Sequence, residues 1–196
     1  MCDNGRLHRN HAGMRFRETK LPGVVEIDLE PHSDARGFFA RGWCQEEFEK
    51  HNLNSKVVQC NVSFNVRKGT LRGIHYQGAP YPESQLVRCT MGAIYDVVVD
   101  LRPQSPSFRD WIGVSLTAVN RHMVFVPEGC GHGFLTLEDN TEVFYQMSEF
   151  YHPDLACGVR WDDPALGIEW PPSDNRFMNE RDRTYPSLAL PEDASS

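Results

Sequence analysis

The chain has 196 residues, of which 40% are apolar and 24% charged, ordinary proportions for a globular domain. A formal net charge of -7 argues against a general nucleic-acid surface, which needs clustered Lys and Arg, and no apolar run approaches the roughly 20 residues that cross a bilayer. Six cysteines, none in a C-x-x-C pair, fit the reduced thiols of a cytoplasmic protein better than a disulfide scaffold or a zinc site.

Residues 1–13 have no apolar segment and read as a mobile leader ahead of Met14; the length of 14–196 fits a single all-β domain. From residue 24 to about 150, β-branched and aromatic runs recur between Gly, Pro, Asn and Asp, the pattern of short antiparallel strands. Strands are predicted over 24–29, 56–66, 70–77, 85–90, 93–102, 107–116, 122–128, 133–138 and 141–151. Met91-Gly92 is expected to turn a hairpin between two of them. One helix is predicted over 45–53, with acidic residues in its first turn and Phe48 and Leu53 available for burial. From about Asp162 the chain becomes rich in Pro and charge with no period. This tail is expected to wrap the β body, with a helical turn near 178–183. The whole predicts an all-β, cupin-like jelly roll, a barrel or sandwich with a few short helices.

Strict alternation along LRGIHYQ, residues 71–77, sets His75 on one face with Leu71, Gly73 and Gln77, and Arg72 on the other with Ile74 and Tyr76. Two outcomes are open. Either His75 sits at a barrel mouth with Arg72 on the outer surface, or Gly73 marks a bulge whose extra residue returns both side chains to one side. In VPEGCGHGF, residues 126–134, the P-x-G-x-x-H spacing puts a tight turn before His132, and the glycines beside it leave the imidazole sterically open. Cupin-like barrels use this turn, and their metal-binding members gather three histidines and an acid about the barrel axis. Here Tyr76 and Gln77 follow His75, so the H-x-H pair is absent. Two histidines without further ligands fit acid–base chemistry or polar ligand contacts. In EVFYQMSEFYHP, Tyr145 and Tyr151 are either buried tyrosines with satisfied hydroxyls or a proton donor and a stacking platform.

Taken in order, DARGFFARGW, LRGIHYQ, QLVRCTMGAIYDVVVDLRPQSPSFRDWIGVSL, VPEGCGHGF and WDDPALGIEWP closely resemble the dTDP-4-dehydrorhamnose 3,5-epimerase family, from about Met14 to the end of ERDRTYP. The resemblance implies a jelly-roll homodimer, with no metal and no redox cofactor, acting on a nucleotide-linked 4-keto-6-deoxy sugar in deoxysugar biosynthesis. It implies that His75 is the catalytic base, that Asp182 orients it and stabilises its protonated form, and that Tyr145 is the acid on the opposite face. Arg72 and His132 match ligand contacts, Gln59 and Asn61 nucleotide contacts, and Tyr151 an aromatic near the base. Arg36 and Phe39 match elements lent by a neighbouring subunit.

Two departures stand out. Gln85 occupies the place of a family lysine whose ammonium helps stabilise the enolate oxygen; either Arg88 or Arg72 substitutes, or the enzyme inverts one centre only or takes another substrate. Arg41 stands where the family usually has a glutamate that helps hold the nucleotide base, which leaves CDP-, GDP- and UDP-linked sugars open. The alternatives are therefore a single-centre epimerase or ketoisomerase acting on a non-thymidine nucleotide sugar and, from another class, a catalytically silent sugar-nucleotide-binding cupin. A metal-dependent cupin oxygenase ranks last because its ligand set is missing.

Overall fold

The computed structural model describes residues 13–188, so the expected leader lies outside the described residues apart from Gly13. In chain order the elements are β1 (Met14–Glu18), β2 (Val25–Leu29), β3 (His32–Asp34), β4 (Gly37–Phe39), α1 (Gln45–Lys50), β5 (Gln59–Asn65), β6 (Leu71–Gln77) and β7 (Gln85–Met91). They continue with β8 (Ala93–Asp100), β9 (Trp111–Thr117), β10 (Met123–Val126), β11 (Cys130–Thr136), β12 (Thr141–Met147), β13 (Ala156–Gly158) and α2 (Glu180–Thr184). Two sheets of strand order β1-β2-β10-β7-β12-β5 and β13-β6-β11-β8-β9 pack together, and β3-β4 forms a separate hairpin. This is a cupin-like jelly roll.

Three apolar layers hold it. Between the sheets, Val87, Val124 and Val143 meet Ile94, Val98, Leu116 and Phe134. On the outer face of the first sheet, α1 buries Phe48 against Ile27, Leu86 and Phe125. Glu46 and Glu47 occupy its first turn, where negative charge complements the helix dipole. On the outer face of the second, the tail lays Val159, Leu166, Ile168 and Trp170 over Ile74, Val97 and Val99. Each such side chain contributes about 1.5–3 kcal/mol on burial. The run AIYDVVVD in β8 is apolar on both faces because tail and opposing sheet each cover one of them.

Several local expectations are corrected. Met91-Gly92 turns no hairpin: β7 pairs with β10 and β12, whereas β8 pairs with β9 and β11, so Gly92, at φ +74°, carries the chain from one sheet to the other. Predicted strand 107–116 begins only at Trp111, because Ser105 and Ser107 turn inward to donate hydrogen bonds to the fully buried Asp100, at 2.5 and 2.6 Å. Arg102 adds two more at 2.8 Å. Burial opposes ionisation of Asp100, yet these donors hold its carboxyl well below the usual carboxylate range. Strands β1, β3, β4 and β13 were not foreseen. β3, β4 and β13 have three residues each, too few to show a period.

Candidate active site

A cavity of about 350 Å³ opens between the sheets, walled by β6 and β11 on one side and by β5, β7 and β12 on the other. Its shape depends on Gly73. Across the pairing of β6 with β11, His132 is opposite His75 but Phe134 is opposite Arg72, so β6 carries one extra residue between these points. Gly73 absorbs it at φ +127°, a conformation that L side chains rarely adopt. Arg72 and His75 consequently both line the cavity, which decides between the two outcomes left open by alternation. A Cβ on Gly73 would lie 2.5 Å from the Gly133 Cα, and neither backbone can yield without breaking the pairing. Gly73→Ala is expected to lower unfolding free energy by about 2 kcal/mol or more, measured by urea denaturation. Wild-type stability would show that the strand tolerates regular pairing.

His75 and Asp182 form a tight pair, with Nε2 and Oδ1 2.6 Å apart. The carboxylate side chain is 1% exposed and the imidazole 42%, so a buried charge holds a ring that reaches the cavity. Asp182 is itself fixed twice over. Its Oδ2 accepts from the Gly73 N–H at 3.4 Å, and its backbone N–H donates to the Asn179 side chain that caps α2, at 2.7 Å. With Nε2 committed to Asp182, Nδ1 is the nitrogen that can take a proton from a ligand.

A second pair lies beside the first. His132 Nε2 is 2.7 Å from Asp96 Oδ2, and both residues are buried. The Asp96 partner was not foreseen. Its only signal in the sequence is a carboxylate two residues from both Ile94 and Val98, on the inner face of an apolar strand. Tyr145, on β12 of the opposing sheet, meets His132 edge to face at 6.1 Å. Burial pushes the Tyr145 phenol well above its ordinary range, the Asp96 charge adds to that, and the Arg72 guanidinium and Ser63 work against it. The group therefore stays protonated and can donate.

Gln85, Asn61 and Tyr151 also line the cavity. The Gln85 amide donates to Glu83 Oε1 at 2.9 Å. Gln59 stands at the rim, where its amide donates to Asn61 Oδ1 at 3.1 Å and its Oε1 accepts from the Tyr151 N–H at 3.3 Å. Four residues singled out in the sequence lie elsewhere. Arg88 does not replace the missing lysine: three residues after Gln85, it falls on the other face of β7 and stacks on Phe144 with its guanidinium 4.9 Å from the ring centre. Arg36 pairs with Asp34 and Phe39 is 74% exposed, both on the β3–β4 hairpin and outside the cavity. Arg41 is ion-paired with Glu47 of α1. The cavity gains a cation that was not foreseen, Arg181 on α2, whose guanidinium donates to the Ala156 carbonyl at 2.8 Å.

Among the described residues no group of three or more His, Cys, Asp and Glu side chains is placed to hold a metal ion, and no helix is long and apolar enough to cross a membrane. The arrangement offers an imidazole backed by a carboxylate, a protonated phenol on the facing wall, and two arginines for an anionic ligand. Fold and site together define a jelly-roll isomerase built for acid–base chemistry. Residues 18–189 match the family model described as dTDP-4-dehydrorhamnose 3,5-epimerase. The chain belongs to the dTDP-4-dehydrorhamnose 3,5-epimerase family.

Its similarity to individual members is spread over most of its length. It is 42% identical to the dTDP-4-dehydrorhamnose 3,5-epimerase of Methanothermobacter thermautotrophicus over 179 residues, covering 90% of this chain and 96% of the relative. The crystal structure of the Bacillus anthracis enzyme of that name, with TDP and PPi bound, superposes with a TM-score of 0.86 at 38% identity, covering 90% of this chain and all of that one. ChmJ from Streptomyces bikiniensis, described as a 3'-monoepimerase in complex with dTDP-quinovose, superposes with a TM-score of 0.83 at 34% identity, covering 90% and 89%.

Proposed function

We propose that this protein epimerises C3 and C5 of a dTDP-linked 4-keto-6-deoxy sugar, as a step in deoxysugar biosynthesis. One observation carries the reading: the His75–Asp182 pair and the protonated Tyr145 stand on opposing walls of one cavity. The C4 ketone acidifies the hydrogens at C3 and C5. His75 removes one, the electron pair moves into an enolate, and Tyr145 returns a proton to the other face, inverting the centre. Arg72 and Arg181 supply positive charge for the ligand, and Tyr151, about half exposed at the cavity edge, offers a face for the base. Five free cysteines among the described residues suit a cytoplasmic setting.

A second reading, inversion at one centre only, is favoured by Gln85, because an uncharged amide stabilises an enolate less than an ammonium does. Proton NMR in D2O with dTDP-4-keto-6-deoxyglucose separates the two. Deuterium entering both C3 and C5 supports the first reading, entry at one supports the second, and entry at neither overturns both.

The protein works as a homodimer in this proposal. Val62, Phe64 and Val66 of the edge strand β5 and its C-terminal continuation, together with Phe38 and Phe39 of the hairpin, are exposed. A run of apolar side chains along an unpaired edge is a surface that proteins normally cover, and a second copy would also bring Arg36 and Phe39 towards a neighbouring cavity. Sedimentation equilibrium is expected to give twice the chain mass of 22.4 kDa. A monomer would remove this part of the proposal.

A further inference from the structure

Asn65 ends β5, just beyond the cavity-lining Ser63, and does not itself line the cavity. It is 2% exposed, and its amide is committed at both ends. Nδ2 donates to the Ser63 and Thr141 carbonyls, at 3.2 Å each. Carbonyls receive only the N–H side of the amide, so Oδ1 is the atom turned to Arg72, and it accepts the Arg72 Nε–H at 2.8 Å.

That bond is the guanidinium's one hydrogen bond among the described residues. Arg72 lines the cavity and is exposed there, so the N–H bonds of both Nη atoms are left for a ligand. Its holder also differs in charge from those of other arginines in the chain. Arg17, Arg36, Arg41, Arg102 and Arg160 are each paired with an aspartate or a glutamate, which cancels much of the cation's pull on any other anion. An amide oxygen accepts the N–H and brings no negative charge.

We propose, building on the nucleotide-sugar reading, that Asn65 is a positioning residue: it fixes the Arg72 guanidinium in the cavity without cancelling its charge, so that both Nη groups meet the ligand's diphosphate in a set orientation. An arginine stem has several rotatable bonds, and a ligand that must first order it binds more weakly. Tying Nε to a buried amide does that ordering in the folded protein. The outer edge of the fork then presents parallel N–H bonds, which match phosphate oxygens. A carboxylate in the same place would hold the fork equally well and quench it.

The test is TDP affinity by calorimetry for the wild type, Asn65→Ala, Asn65→Asp, Arg72→Met and the double variant Asn65→Ala with Arg72→Met. Asn65→Ala leaves two carbonyls without their donor and should lose stability in urea, so stability does not decide. Affinity does. It is expected to fall about tenfold in Asn65→Ala, and further in Asn65→Asp, whose carboxylate pairs with the guanidinium. In the Arg72→Met background Asn65→Ala should cost no more than about twofold, because the amide acts through the guanidinium alone. A tenfold loss that persists without Arg72 is the mark of a structural role and overturns the assignment. So does an Asn65→Ala or Asn65→Asp protein that binds TDP like the wild type.

A measurement on the wild type serves if the Asn65 variants do not fold. In nitrogen–proton NMR spectra the Arg72 Nε–H, identified by its loss in Arg72→Met, should exchange with water at least about tenfold more slowly than that of free arginine. Exchange at the free rate overturns the proposal. A wild type that binds TDP but exchanges no deuterium at the sugar removes the epimerase reading and leaves this one standing. One that does not bind TDP overturns this one together with the dTDP-linked substrate.

Discussion

Replacing His75 by alanine is expected to slow deuterium exchange at the sugar about 10³- to 10⁴-fold while leaving nucleotide affinity within about tenfold. In the proposed mechanism the imidazole is the base. Asp182, 2.6 Å away and almost fully buried, gives it a fixed orientation and a counter-charge once it takes a proton. His132 does not replace it, because its ring is buried against Asp96. The nucleotide is expected to be held by charge and stacking elsewhere in the cavity, which is why binding and chemistry should separate. Exchange rates in D2O and binding of TDP by calorimetry check both halves. A variant exchanging at more than a tenth of the wild-type rate would take the base role from His75; a collapse in TDP affinity would make the residue a binding contact.

Tyr145→Phe should do something different. Proton removal depends on the opposite wall, so solvent exchange should stay within about tenfold of the wild type, while inversion falls about 100-fold because no acid remains on the far face. The phenol is suited to returning that proton, since burial and the nearby Asp96 charge keep it protonated well beyond its ordinary range, so it donates at any working pH. Following deuterium content and product stereochemistry in the same NMR sample tests the separation. Equal losses in exchange and inversion would mean that Tyr145 serves the first proton transfer or the architecture of the site, not the return of the proton.

Much of the molecule was legible without its tertiary structure. Alternation and turn residues located most of the long strands, and α1 followed from its acidic first turn and from Phe48. The motif around His75, the turn before His132 and the tyrosine in EVFYQM identified residues that do share one cavity. Alternation alone left Arg72 and His75 on opposite faces. Their convergence needed the extra residue at Gly73, and whether a glycine is merely permissive or actually bulged is settled by the partner strand, here β11.

Period, capping and turn chemistry are properties of neighbouring residues, so the all-β class, the helix and the individual motifs were determined by the chain's own local order. Partnership is not local. Asp96, Glu83 and Arg181 drew no notice as single residues in β8, before β7 and in α2, and became part of a site only when two sheets and the returning tail enclosed them. Met91-Gly92 likewise specified a turn but not which sheet the next strand would join. Arg88 looked equivalent to Arg72 as a substitute cation until strand direction turned it outward. Tertiary structure decided these points because burial, the facing wall and the nearest opposing charge are set by residues distant in sequence, and those determine whether a polar side chain is solvated, neutralised or ready for chemistry.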